Sequence, residues 1–172
     1  MRPVRLLIML CCAIALALPA QESPIPHTAG VLPSAEVERL MPPSVFFSGQ
    51  SATVQIRNSA AIRFAGDGIT LAGLVDTGGY SSGVRDRYQF YLLTDTAIEA
   101  GGRRIVPGAY GGGFLSDGFL LMDLGGHELL RLPVTADPSM KRPRPLQFVA
   151  GPEAGEYRLY LGRAYVSLKQ AK

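Results

Sequence analysis

Apolar and polar residues alternate along most of this chain. Ala52 to Asn58 sets Val54 and Ile56 opposite Thr53, Gln55 and Arg57, and Ala61 to Ala65 repeats the pattern through Ile62, Arg63 and Phe64. Arg87 to Thr96 places Tyr88, Phe90 and Leu92 opposite Gln89, Tyr91 and Leu93. A period of two directs one set of side chains to a core, which predicts strands. Further strands are read at Val45 to Phe47, Ile69 to Asp76, Phe119 to Leu124, Leu129 to Val134, Leu146 to Ala150, Tyr157 to Leu161 and Tyr165 to Leu168. Turn signals separate them: Gly66-Asp67-Gly68, Asp117-Gly118, Gly125-Gly126 and Gly162-Arg163. The stretch from Arg103 to Val134 reads as three consecutive strands with a glycine run inside, and it organises the rest. Thr77 to Asp86 reads as a flexible loop.

Helical spacing is confined to a short segment near the N-terminus. Ser34 is placed to cap a helix over Ala35 to Met41, with Val37, Leu40 and Met41 on one face, and Pro42-Pro43 ends it. The predicted class is all-β: an antiparallel meander of roughly nine short strands with one short N-terminal helix. It closes as a barrel-like fold or packs as a two-sheet sandwich, the barrel being slightly preferred.

The first residues change how composition is read. Arg2 and Arg5 precede an apolar run from Leu6 to Leu18, and Pro19-Ala20 offers a small residue before Gln21, which together describe a secretory signal peptide over residues 1–20. The run falls short of the ~20 residues of a spanning helix, and no other long apolar segment follows, so no transmembrane segment is expected after signal removal. Residues 21–43 are read as a disordered leader followed by the short helix, and 44–170 as a single β-domain. The expected location is periplasmic or extracellular. Cys11 and Cys12 both lie in the signal, leaving the mature chain without disulfides, thiolate chemistry or cysteine metal ligands. Losing Arg2 and Arg5 leaves 15 basic residues against 14 acidic, a net charge of +1 in place of +3. That balance gives no reason to expect nucleic acid as a partner.

Familiar catalytic patterns are missing. The glycine run lacks the Gly-Lys-Ser/Thr ending of a phosphate loop, and neither Gly-x-Ser-x-Gly nor Ser-x-x-Lys occurs. His27 and His127 are far apart in sequence, and neither sits in a ligand cluster, so no metal and no cofactor are assigned. The chain is read as non-catalytic. A carboxylate-type enzyme using Asp76, Asp86 or Asp95 with Arg85 or Arg87 around the 77–86 loop is the alternative, and it requires those groups to converge. A small outer-membrane barrel is a third reading, disfavoured by Arg57, Arg63 and Arg131 within strands and by the lack of a terminal aromatic.

Candidate ligand contacts follow from two features. Alternation puts Ala109, Gly111 and Gly113 on one strand face, with Tyr110, Gly112 and Phe114 on the other. A face almost without side chains admits a ligand or a bulky neighbour. The 77–86 loop contributes Tyr80 and Arg85. Tyr80, Arg85, Tyr110, Gly111, Gly113 and Phe114 are therefore the candidate ligand-binding residues. Lys141 to Pro145 forms a basic loop, and Tyr157, Tyr160 and Tyr165 with Arg158 and Arg163 suit either a sugar-binding face or ordinary packing.

The segments Val45 to Gln50, Arg57 to Ser59, Val75 to Ser82 and Pro107 to Gly111 resemble those of a group of small secreted bacterial proteins of unknown function. The resemblance implies export and brings no activity, cofactor or catalytic residue. The expected function is that of an exported β-domain binding a small apolar or carbohydrate ligand, or an envelope protein partner.

Overall fold

A chain dominated by period-two segments must pair them edge to edge, and here they form two antiparallel sheets facing each other. The computed structural model describes residues 28–172; the signal assigned to 1–20, the first part of the leader and His27 lie outside them. The elements in order are β1 (Gly30–Val31), α1 (Ser34–Leu40), β2 (Ser44–Phe47), β3 (Gln50–Arg63), β4 (Ile69–Val75), α2 (Ser82–Arg85), β5 (Phe90–Thr94), β6 (Ile98–Ala100) and β7 (Arg103–Ile105). They continue as β8 (Gly108–Leu115), β9 (Gly118–Met122), β10 (Glu128–Leu132), β11 (Thr135–Ala136), β12 (Leu146–Ala150), β13 (Glu156–Leu161) and β14 (Ala164–Gln170).

The larger sheet has eight strands in the order β1-β3-β4-β5-β8-β9-β10, with β2 also on β3; the smaller has six, β12-β13-β14-β6-β7, with β11 on β14. The sheets are not closed on each other, so the architecture is a sandwich and the preference for a barrel is corrected. Among the described residues the sheets do not form the closed cylinder of a membrane barrel.

The physical reason lies where the chain changes sheet. After β5, the buried Thr70 hydroxyl donates to Thr94 Oγ1 at 2.9 Å and Thr94 donates to the Thr96 carbonyl at 2.7 Å. This satisfied polar chain holds a bend that sends β6 and β7 to the second sheet, where Ala100 pairs with Leu168. Pro107 then precedes the return to β8. The stretch from Arg103 to Val134 is thus four principal strands in two sheets, not three consecutive ones.

Other boundaries moved for local reasons. The two strands expected between Ala52 and Ala65 are one 14-residue strand, β3, whose pairing with β4 shifts register between Val54 and Ser59. The Ser59 hydroxyl donates to the Gln55 carbonyl across that irregularity at 3.2 Å. Helix α1 starts one residue earlier than expected, with Pro33 at the cap and no side-chain capping bond. Val37 and Met41 are buried, but Leu40 is exposed, off the face assigned to it. The leader is ordered by residue 30, since Gly30 and Val31 pair with Arg63 and Ile62.

Each face of the larger sheet buries a separate core. Ile62, Ala72, Phe90, Leu92, Phe119 and Leu121 meet Ile98, Phe148, Leu159 and Leu168 between the sheets. On the opposite face Val54, Ala61, Leu71, Val75, Leu120 and Met122 are covered by α1, β2 and the segment leading into β5, through Val37, Met41, Phe47, Tyr80 and Tyr88. Arg63 Nη2 donates to Glu36 Oε1 at 2.7 Å, holding α1 on that second face; only 7% of the arginine side chain is exposed.

Candidate functional site

Glycines at 111–113 remove side chains from both faces of β8, so something else has to fill each face. On the second face Phe47 lies over Gly111, and a Cβ there would clash with the edge of its ring. At Gly113 an added Cβ would sit 2.7 Å from the Arg87 carbonyl and 3.1 Å from Gln89. The bare face is therefore filled, not open. Phe47 comes from β2 and stacks on Tyr88 with ring centroids 3.9 Å apart.

Tyr80 belongs to the same packed group. It is buried, with its hydroxyl 3.0 Å from the Phe47 carbonyl and 2.9 Å from that of Gln50. One phenolic proton is shared between these carbonyls, fastening the β2–β3 hairpin to the loop after β4. Burial raises the Tyr80 phenol above its ordinary pKa. Tyr88 is fully buried and its hydroxyl has no hydrogen-bond partner among the described residues. Burial first, then Tyr80 and Tyr91, raise the pKa of its phenol above the ordinary value.

The loop over Thr77 to Asp86 is not all irregular, because Ser82–Arg85 forms α2. The Tyr88 amide donates to the Val84 carbonyl at 2.8 Å, continuing that turn. This turn, not β alternation, sets the direction of Tyr88. It joins Phe47 on the second face, whereas the sequence pattern had grouped it with Phe90 and Leu92.

Arg85 and Phe114 do converge. Both line an open cleft of about 400 Å³, together with Gln55, Thr77, Gln89 and Leu161. Arg85 is exposed and forms no ion pair among the described residues. Gln89 Oε1 accepts the Phe114 amide at 2.9 Å, which fixes one side of the cleft and leaves the glutamine amino group as a donor. Phe114 packs edge-on to Phe119 at 5.2 Å. Tyr110 lies elsewhere, in a cleft beside β7 and β10, where its hydroxyl donates to the Val106 carbonyl at 2.7 Å. The six candidates thus divide into a packed group (Tyr80, Gly111, Gly113), a cleft pair (Arg85, Phe114) and Tyr110 in a second cleft. Gln55, Thr77, Gln89 and Leu161 escaped sequence reasoning; alternation marked some as polar and outward, but only the fold brings them together.

Two of the three candidate carboxylates, Asp76 and Asp95, are used structurally. Asp95 Oδ1 accepts the Ile69 amide at 2.6 Å and Asp76 Oδ1 accepts the Gly78 amide at 3.0 Å. They stand at opposite ends of β4, roughly 20 Å apart at about 3.3 Å per residue, and do not form an acid–base pair. Among the described residues no group of three or more His, Asp or Glu side chains is arranged to hold a metal. The tyrosines of the second sheet are engaged as well. Tyr160 donates to Asp137 at 2.9 Å, Tyr157 lies 3.3 Å from the Arg63 carbonyl, and the Arg158 guanidinium sits 4.5 Å over the Tyr165 ring. From the basic loop, Arg144 reaches a cleft of about 260 Å³ that Glu38 and Arg57 also line.

Fold and site together define an antiparallel β-sandwich with a mixed polar and apolar cleft beside α2. No family model, curated protein or solved structure matches the chain.

Proposed function

We propose that this chain is an exported, non-catalytic β-domain that binds a carbohydrate-type ligand in the cleft beside α2. The observation that carries the reading is the convergence of Arg85 and Phe114, from separate segments, on one cleft with Gln55, Thr77 and Gln89. An unpaired guanidinium and two side-chain amides suit a ligand rich in oxygen, and Phe114 with Leu161 suits the apolar face of a sugar ring. Export rests on the N-terminal pattern of Arg2, Arg5, Leu6 to Leu18 and Ala20.

Thermal denaturation of the mature protein across a glycan panel tests the binding. A binding glycan raises Tm in the native chain, and Arg85→Ala removes the rise while leaving the unliganded Tm unchanged, because Arg85 is exposed and unpaired. If no glycan raises Tm, the carbohydrate reading is wrong. Intact mass of the protein recovered from periplasm tests export: a chain beginning at Gln21 agrees with it, and one retaining Met1 contradicts it.

A further inference from the structure

The basic loop Lys141 to Pro145 packs into neither core, but its Arg144 lines the cleft of about 260 Å³ formed by α1, β3 and β12. Arg144 lies between Pro143 and Pro145, and a residue that precedes proline is held extended. The Pro145 carbonyl accepts the Gly162 amide at 3.3 Å, which ties the end of the loop to the turn between β13 and β14. Arg57 reaches the same cleft from β3, inside the stretch where pairing with β4 shifts register between Val54 and Ser59. Such an irregularity re-aims side chains. Glu38 comes from α1, one turn after Ser34, which lines the cleft with it. Leu32, Val37 and Leu146 are buried and supply an apolar floor.

Two guanidiniums and one carboxylate therefore line one cleft, from three segments distant in sequence. Among the described residues none of the three forms an ion pair, with each other or with any other group. A ligand that answers this set carries two acid groups, one ammonium and a short aliphatic body. We infer that the cleft binds an acidic α-amino acid, with its two carboxylates on Arg57 and Arg144, its ammonium on Glu38 and its carbon chain on the apolar floor. Gln147 adds an acceptor: its amino group points to the Met140 sulfur at 3.8 Å, which leaves its carbonyl oxygen for the ammonium. Size agrees, because the cleft is smaller than the ~300 Å³ at which pockets for drug-sized ligands begin. A simple oxyanion would satisfy the arginines but set negative charge against Glu38. No lining residue is shared with the cleft beside α2, so this inference and the carbohydrate reading stand or fall separately.

Isothermal titration of L-glutamate and L-aspartate into the mature protein at low salt tests this, with the matching dicarboxylate, the matching side-chain amide and inorganic phosphate as comparisons. At least one of the two amino acids binds saturably. The dicarboxylate lacks the ammonium and the amide lacks one carboxylate, and each binds at least about tenfold more weakly, as does phosphate, the effect of losing a charged hydrogen-bonding partner. Arg57→Gln and Arg144→Gln each weaken the amino acid by a similar factor, while Arg85→Ala, in the other cleft, leaves its affinity unchanged. Glu38→Gln removes the preference for the amino acid over the dicarboxylate. All three side chains are exposed and unpaired, so their replacement leaves the fold intact, which circular dichroism checks. No saturable binding of either amino acid, a comparison ligand bound as tightly, or an affinity unmoved by the arginine substitutions overturns the inference.

Discussion

The two faces of the eight-stranded sheet are buried by different means. Toward the second sheet, regular alternation supplies both sides: Phe90, Leu92, Phe119 and Leu121 meet Phe148, Leu159 and Leu168. Its internal polar groups, Thr70 and Thr94, are mutually bonded. The opposite face is covered by a short helix, a hairpin and a turn, whose large aromatics fit only because glycines vacate the strand beneath. Sheet-on-sheet packing distributes its contacts over many residues, while the second face depends on Phe47, Tyr80 and Tyr88.

Truncating one aromatic on each side separates the two kinds of burial most sharply. Phe47→Ala and Phe119→Ala each cost about 3–5 kcal/mol in urea unfolding, as for other buried phenylalanines. They differ in hydrogen exchange: Phe47→Ala releases the amides from Tyr80 to Tyr88, whereas Phe119→Ala leaves their protection relative to the rest of the sheet intact. Equal loss throughout both variants would show that the faces are one cooperative unit.

A smaller contrast lies between the tyrosines. Tyr80→Phe leaves the Phe47 and Gln50 carbonyls without that donor and costs about 1–3 kcal/mol. Tyr88→Phe removes a buried hydroxyl that has no partner among the described residues, so stability is unchanged or rises slightly. Denaturant midpoints falling equally in both variants would contradict the hydrogen-bond assignment.

Much of the inner face was legible because its strands obey period two, and Phe90 and Leu92 could be placed on one face from spacing alone. The second face was not, because its contacts join segments distant in sequence. Nothing near Gly111 indicates that Phe47 will cover it. Tyr88 follows a helical turn that reverses its expected side, and the sheet change after Thr94 is held by hydroxyls whose partners exist only in the fold. The cleft beside α2 shows the same division: Arg85 and Phe114 were visible as candidates, but Gln55 and Leu161 join them only through tertiary packing.

The smallest effect is expected away from both cores. The Ser139 hydroxyl and then Tyr160 hydrogen-bond to the Asp137 carboxylate and hold it below the ordinary aspartate pKa. A depressed folded-state pKa contributes stability above the unfolded value of about 3.9, and that contribution is lost as pH falls through the folded value. Asp137→Asn should therefore flatten the acid limb of the Tm–pH curve slightly, with little change near neutrality. An unchanged acid limb would remove Asp137 from the pH response.

Gly111 is a glycine because Phe47 occupies the space above it. A double-mutant cycle of Gly111→Ala and Phe47→Ala, read by urea unfolding, tests this directly. Gly111→Ala is expected to cost about 1–3 kcal/mol beneath the intact phenylalanine and to cost little or nothing once the ring is gone. Additive losses, with the alanine equally damaging in both backgrounds, would contradict it.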